Sequence, residues 1–208
     1  MHGQPVPRAR LAELFWEGLS EDRGRGNLSR VLHNVSEVLP SALSVERRWV
    51  WLPRSPSLWV DIWAFEELQH KATVEGLGEA ATLFRGDVLA DLEFAESLDL
   101  ETWVTGEREL WRQRHVGVLA RLVHLLTASG RYEDASSWTE RWLGLDPLAE
   151  DGHRQLMTLL AAQGRRSAAL AQYDRCRVLL AKELGVEPED ETTHLFHRLR
   201  RVDWKRMT

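Results

Sequence analysis

The sequence predicts a mainly α-helical protein: a partial winged helix-turn-helix with a β-hairpin, then an all-α domain of tetratricopeptide-like helical repeats. Apolar residues recur at helical spacing along most of the 208 residues. β-prone runs flank a turn between residues 45 and 61, and a repeat with the tetratricopeptide period follows in the second half. We therefore expect one domain over residues 1–60 and a second over residues 61–208.

The first domain opens with two helices. Leu11, Leu14 and Leu19 lie at helical spacing, which predicts a helix over residues 8–19. The two prolines that precede it are typical of a helix start. The polar stretch SEDRGRG at residues 20–26 predicts a turn. A second amphipathic helix is expected over residues 27–39, ended by Pro40, with Leu28, Val31, Leu32, Val35, Val38 and Leu39 on its buried stripe.

A β-hairpin is expected next. Two β-prone runs flank the PRSPS segment at residues 53–57, which predicts the hairpin turn there. Helix, turn, helix and hairpin follow one another in the order of the last part of a winged helix. In that fold the second helix enters the major groove of DNA and the hairpin forms the wing.

The second domain reads as helical to its end. Asp61 is a candidate N-cap, and a long helix is expected over residues 100–128, stopped by Ser129 and Gly130. Alignment of the chain with itself at the tetratricopeptide period pairs Leu122 with Leu156, Leu126 with Leu160, Gly130 with Gly164, and Ala135 with Ala169. The glycines would turn the chain between helices, and the alanines would allow close helix packing. The second repeat is irregular, because Pro188 lies farther beyond Ala169 than Pro147 lies beyond Ala135.

Charge is distributed unevenly along the chain. The net charge is −5, but residues 1–60 carry eight Arg and no Lys against six acidic residues, and the remainder has 19 basic and 26 acidic residues. This asymmetry is typical of a weakly basic domain joined to an acidic domain, where the acidic domain binds a different partner. The single cysteine, Cys176, excludes an internal disulfide and is expected to be a buried apolar residue on a helix. Without a membrane-spanning stretch or a secretory signal, a cytoplasmic protein is expected.

Four stretches together resemble one protein family. They are RGNLSRVLHN (residues 25–34), LWVDIWAFEEL (58–68), LFRGDVLADL (83–92) and the run from Arg131 to Thr192. In these stretches the chain is similar to the bacterial transcriptional activator domain of regulators of the Streptomyces antibiotic regulatory protein type. The resemblance covers nearly the whole chain.

The resemblance implies a winged helix of the OmpR kind joined to a tetratricopeptide-like domain. Such regulators bind direct repeats in double-stranded promoter DNA and recruit RNA polymerase, and homodimers or fused sensor domains are compatible with this role. Two departures stand out. The family's winged helix begins with a small sheet and an apolar helix before the segment that matches residues 2–16, so a truncated DNA-binding domain is expected. Glu37 also stands where the family has a basic residue.

Candidate DNA contacts lie between the apolar positions of the second helix and in the hairpin. Arg can pair with guanine or phosphate and Asn with adenine, while wing arginines would meet the phosphate backbone. The candidates are Arg25, Asn27, Arg30, His33, Asn34, Arg47 and Arg48. An ordinary solvated surface is the alternative for all of them.

Other candidate sites are assigned structural roles. The tripeptide Arg85–Gly86–Asp87 is expected to end a helix, and His194 with His197 to be a surface pair without a third metal ligand. The tryptophans around the hairpin, Trp49, Trp51, Trp59 and Trp63, are expected to pack in the core between the two modules; a ligand cage is the alternative.

No enzyme site and no cofactor are expected, since the common nucleotide-binding and hydrolase motifs are missing. Two functional hypotheses remain. The first is a DNA-binding transcriptional activator whose helical domain dimerises or contacts polymerase or a fused sensor. The alternative is a tetratricopeptide-like interaction module that no longer binds DNA and acts through the concave face of its repeats.

Overall fold

A computed structural model describes residues 3–40, 42–92 and 97–201. These residues are mainly helical and include one small antiparallel sheet, so the predicted fold class is confirmed. The chain divides into two compact units, Met1–His70 with Leu83–Trp111, and Lys71–Thr82 with Arg112–Thr208. None of the described helices combines the length and apolarity needed to cross a bilayer.

Over its described residues, the first unit contains three short strands and three complete helices, followed by the start of a long helix. The elements are β1 (Val6–Pro7), α1 (Arg8–Phe15), α2 (Glu21–Val38), β2 (Ser44–Val45), β3 (Trp49–Trp51), α3 (Asp61–Leu68) and the first part of α5 (Leu98–Ala128). The strand order is β1-β3-β2, with Val6 and Val45 both in register with Val50. The central strand therefore turns the buried side chain of Val50 toward the helices.

Helix α1 contributes one buried residue to each of two core clusters. Ala12 packs with Leu28 and Leu32 of α2 and with Val50 of the sheet. Leu14 instead packs with Leu100 and Val104 at the start of α5. The buried hydroxyl of Ser97 donates to the Leu14 carbonyl at 2.9 Å, which satisfies a carbonyl near the end of α1. One short helix thus joins the small sheet to the α5 helix.

The boundaries of α1 and α2 differ from the sequence prediction. Helix α1 ends at Phe15 rather than Leu19, and Gly18 follows with a φ of +81°, a conformation that interrupts a helix. The predicted turn over residues 20–26 is wrong beyond Ser20, because α2 already begins at Glu21. The acidic residues Glu21 and Asp22 in the first turn stabilise α2, because they interact favourably with the positive end of the helix dipole. Gly24 is buried, and a Cβ there would lie 3.6 Å from the Ala12 Cβ.

The apolar stripe predicted for α2 is only partly buried. Leu28 and Leu32 lie in the core, whereas Val31 is 44% exposed and Val38 is 77% exposed. The helix ends at Val38, before Pro40, as predicted. Helical spacing places residues on one side of a helix, but packing of neighbouring elements decides how wide the buried stripe becomes.

The hairpin exists, but its turn lies earlier than predicted. Strands β2 and β3 pair across residues 46–48, and the Glu46 amide donates to the Trp49 carbonyl at 2.9 Å. The PRSPS segment instead forms an isolated bridge between Ser55 and Leu58. Two prolines in that segment lack an amide hydrogen to donate to a strand ladder, which disfavours extended pairing there.

The second unit consists of helices. It contains most of α4 (Val74–Leu83), the second part of α5, α6 (Tyr132–Leu145), α7 (Glu150–Ala162), α8 (Arg166–Glu183) and α9 (Asp190–Arg201). Helix α7 packs on α6 and α8, and α9 packs on α8 and α7. The long helix predicted over residues 100–128 is confirmed as α5, and the helix expected near Asp61 is confirmed as α3. The predicted N-cap is wrong by one residue, because Val60 is the N-cap and Asp61 is the first residue of the helix.

The paired repeat residues occupy equivalent places. Gly130 and Gly164 both have a φ of +74°, and the amide that follows each glycine donates to the carbonyl of a preceding leucine, at 2.9 Å to Leu126 and at 2.8 Å to Leu160. Ala135 and Ala169 are completely buried. The correspondence of the two repeats in sequence is therefore a structural correspondence of helix ends and close-packed positions.

The irregular second repeat is tied back onto α7. Arg154 donates to Glu189 at 3.0 Å and to Thr192 at 2.8 Å, and it also pairs with Asp151. The Glu150 carboxylate accepts bonds from the Glu189 amide and the Thr192 hydroxyl. These contacts hold the chain between α8 and α9, where the extra residues before Pro188 are accommodated.

Candidate nucleic-acid interface

Helix α2 carries five of the seven predicted DNA contacts. Arg25, Arg30, His33 and Asn34 are exposed, and Asn27 is half-buried. Since a helix advances by about 100° per residue, Arg30, His33 and Asn34 lie on the side away from the buried leucines and Asn27 flanks that side. Arg25 lies instead at the edge of the buried stripe, in nearly the same direction as Leu32. The helix thus presents donors that could reach base edges or phosphates.

Sequence reasoning missed Arg23. This exposed residue lies seven positions before Arg30, so both side chains are on the same outward face of α2. The expected turn over residues 20–26 gave no helical face that would relate Arg23 to Arg30. The acidic pair Glu21–Asp22, with Ser20 before it, is a helix-start signal that could have found it.

Two of the predicted contacts lie close to carboxylates within α2. Arg25 lies 3.2 Å from Glu21, and His33 lies 3.5 Å from Glu37. All four side chains are more than half exposed, so each pair contributes less than about 1 kcal/mol. A phosphate group could compete with either carboxylate. Glu37 nevertheless places a negative charge beside His33, on the face proposed to meet DNA.

The two wing arginines lie at the hairpin turn. Arg47 and Arg48 are exposed in the connection between β2 and β3. The prediction placed the turn elsewhere, but the observed turn puts both side chains at the tip of the hairpin. A guanidinium at a hairpin tip is well placed for phosphate contact, because its side chain is free of the sheet.

Arg8 connects the two parts of the interface. Its guanidinium donates to Ser29 Oγ of α2 at 2.7 Å and to the Glu46 carbonyl of the hairpin turn at 3.3 Å. Its backbone amide donates to the Arg48 carbonyl at 2.9 Å. One residue at the start of α1 therefore orients the outward helix and the hairpin tip with respect to each other.

The tryptophans near the hairpin do not share one role. Trp63 is buried, and the Arg54 guanidinium lies 5.5 Å from its ring centroid. Trp59 is 69% exposed and Trp49 is 42% exposed, so the predicted core role is wrong for these two side chains. Trp49 begins β3 and lies on the opposite face of the strand from the buried Val50, whereas Trp59 directly follows the Ser55–Leu58 bridge.

The remaining sequence candidates have structural surroundings. Cys176 is buried on α8 as predicted, and burial raises the pKa of its thiol to about 11. Arg85, Gly86 and Asp87 follow the end of α4. His194 and His197 lie one turn apart on α9, and among the described residues no cluster of three or more potential ligands could hold a metal ion.

A short helix, a tight connection, a longer helix with a polar outward face and an adjoining hairpin define the class of winged helix-turn-helix transcription regulators. The family model of the bacterial transcriptional activator domain matches residues 60–200. The chain belongs to this family, as it occurs in regulators of the Streptomyces antibiotic regulatory protein type.

Relatives of the chain are transcription regulators by name. The chain is 29% identical over 154 residues to the regulatory protein DnrI of Streptomyces peucetius. The aligned region covers 69% of this chain and 54% of DnrI. It is 26% identical over 217 residues to the transcriptional regulatory protein MoaR1 of Mycobacterium tuberculosis, covering 95% of this chain and 68% of MoaR1. The chain thus spans about half the length of DnrI.

A solved structure has a similar fold. Mycobacterium tuberculosis EmbR, in complex with a low-affinity phosphopeptide, matches with a TM-score of 0.72 at 22% identity. The match covers 99% of this chain and 58% of the EmbR chain. The likeness supports the fold of a winged helix with a helical domain.

Proposed function

We propose that the chain is a DNA-binding transcriptional activator that inserts α2 into the major groove and rests its hairpin on the phosphate backbone. The exposed polar face of α2, next to two arginines at the hairpin tip, carries this proposal. Base edges would be contacted by Arg30, His33 and Asn34, with Asn27 at the flank of the same face. Arg25, at the edge of the buried stripe of α2, would contact a phosphate. Arg47 and Arg48 would contact phosphates.

The helical domain would supply a second function. Its residues are net acidic, so it is poorly suited to DNA itself. We propose that it mediates dimerisation, or contacts RNA polymerase or a fused sensor domain, once α2 has located a direct repeat in promoter DNA. The names of the relatives support a role in regulation.

A second candidate function is an interaction module without DNA binding, which would act through the concave face of its helical repeats. The His33–Glu37 pair favours it, because a carboxylate on the outward face of α2 repels phosphate. The two functions differ in their prediction for DNA affinity.

Fluorescence anisotropy with labelled fragments of the protein's own promoter region separates the two. A regulator is expected to prefer one fragment, with an affinity that falls as salt rises by a slope of about 0.9 per phosphate contact. Two salt concentrations suffice to measure that slope. Absence of binding at low salt would refute DNA recognition and favour the interaction module.

A further inference from the structure

A cleft lies in the first unit, beside the start of α3. Its volume is about 760 Å³, and it is bounded by Trp59, by α3, by the segment of residues 83–92 and by Trp111 of α5. Sites for small molecules typically measure about 300–1,000 Å³. Neither the outward face of α2 nor the hairpin tip contributes to it, so the cleft is separate from the proposed DNA interface.

Aromatic rings line the cleft. The Phe65 ring meets the Phe84 ring edge-on at a centroid distance of 4.9 Å, and the Phe65 and Trp111 centroids are 5.8 Å apart. Phe65 and Trp111 are almost completely buried, which gives a rigid floor. At the rim, Trp59 leaves 69% of its surface exposed. A large exposed indole beside an aromatic floor is typical of a binding site rather than of a packed core.

The charged groups around the cleft are mostly acidic. Asp61, Asp87 and Asp91 line it together with the single guanidinium of Arg85. Aromatic faces carry negative partial charge, and carboxylates at the rim add to it. The lining therefore complements a ligand that is apolar in its body and positively charged at one end.

The loop that carries Asp87 is held in place. Arg108 of α5 donates to the Val88 carbonyl at 2.9 Å and to the Leu89 carbonyl at 2.7 Å. Leu89 has a φ of +55°, an unfavourable conformation for a leucine that the surrounding contacts must compensate. A loop ordered before a ligand arrives loses less conformational entropy on binding.

We propose that this cleft binds a small lipophilic organic cation, an aromatic amine in its simplest form. The ring system lies against Trp59 and Phe84, and the ammonium group is paired by Asp61 and Asp87. In this proposal, the Asp87 carboxylate of the Arg85–Gly86–Asp87 segment after α4 contacts the ligand. This ligand site goes beyond DNA recognition and does not depend on it.

Isothermal titration calorimetry of the full chain with three matched probes tests the proposal. Naphthylmethylamine carries a positive charge, naphthylmethanol is neutral, and naphthoate is negative. We expect the amine to bind about tenfold more tightly than the alcohol, the fold-change that corresponds to about 1.4 kcal/mol of cation–π and carboxylate interaction. Naphthoate is expected not to bind.

Variants assign the binding to this cleft. Trp59→Ala and the double variant Asp61→Asn with Asp87→Asn should each weaken amine binding about tenfold or more. Asn keeps the side-chain oxygen with which Asp61 accepts a hydrogen bond from the Ile62 amide, so α3 should persist, and circular dichroism checks this. Trp49→Ala, a half-exposed tryptophan elsewhere in the unit, and Asp99→Asn, in the first turn of α5, are the controls and should bind like the wild type.

Several outcomes would overturn the proposal. They are absence of amine binding at millimolar concentration, equal affinity for amine and naphthoate, and unchanged affinity in both cleft variants. Binding of a basic apolar peptide at the cleft without binding of the amine would also overturn it, since the occupant would then be a protein segment. If the double variant does not fold, Trp59→Ala and the probe series decide the result.

Discussion

The Arg8 guanidinium donates to Ser29 Oγ at 2.7 Å, joining the start of α1 to the middle of α2. The same guanidinium reaches the Glu46 carbonyl at the hairpin turn. Neither Arg8 nor Ser29 was a candidate from sequence, yet together they set the position of the helix face proposed to read DNA. The contact is accessible to solvent, and it links three elements of the first unit.

The Arg8–Ser29 bond should be measurable as a coupling energy. In a double-mutant cycle of Arg8→Ala and Ser29→Ala, urea unfolding is expected to give a coupling of about 0.5–1 kcal/mol, the range for a solvent-accessible charge-assisted bond. Ser29 also donates to the Arg25 carbonyl, so the single Ser29→Ala cost alone is not diagnostic. Strictly additive effects would show that the contact has no energetic role.

Arg30→Ala tests the outward face of α2. Loss of a base contact should weaken binding to the preferred promoter fragment by about 1–3 kcal/mol, whereas loss of a phosphate contact should lower the salt slope by about 0.9. Anisotropy at two salt concentrations distinguishes the two. Arg177→Ala removes an exposed arginine of α8 and serves as the control. If both substitutions changed DNA binding equally, α2 would not be part of the DNA interface.

Glu37→Gln tests how much the carboxylate beside His33 weakens DNA binding. Because the variant removes a negative charge from the face that meets phosphate, DNA affinity at low salt should rise about twofold to fivefold, which corresponds to about 0.4–1 kcal/mol. The gain should shrink at high salt, where exposed charges are screened. Unchanged affinity at both salt concentrations would place Glu37 outside the DNA contact.

Ala135→Leu and Ala169→Leu test the close-packed positions of the repeats. Both alanines are completely buried, so the larger side chain should lower the free energy of unfolding by about 1–3 kcal/mol through overpacking. Ala171→Leu, at an exposed position of α8, is the matched control and should leave stability nearly unchanged. An unaltered melting curve for either buried variant would contradict the repeat assignment.

His115 should make stability dependent on pH. Burial lowers its pKa from 6.5 to about 4, so the folded protein holds this imidazole neutral where the unfolded chain would protonate it. The stability it contributes is present above about pH 6.5 and is lost as the pH falls toward 4. His153 on α7 is shifted in the same direction, also mainly by burial.

Thermal melts of the wild type and of His115→Asn between pH 7.5 and 5 provide the check. The variant should lose less stability over this interval, because it cannot take up the proton. His124→Gln, an exposed position on the same helix, should retain the wild-type pH dependence. Parallel curves for the wild type and His115→Asn would contradict the assignment.

The amino-acid pattern alone determined the class of this fold and much of its second half. Helical spacing located α5 and α3, and the repeat alignment identified the glycines at helix ends and the buried alanines. These features follow from local conformation and short-range packing, since a positive φ favours glycine and a tight helix contact favours alanine. Such requirements act at single positions, so the residue type at each position reveals them.

Tertiary structure decided the features that depend on distant partners. The first turns of α2 are stabilised where Gly24 packs on Ala12, a contact between two helices that no local turn signal encodes. The exposure of Val38 and Trp59, the turn at residues 46–48 and the aromatic cleft depend on which surfaces the neighbouring elements cover. Three-dimensional packing decides which residues of an apolar stripe are covered, so the local pattern left the exposure of Val38 open.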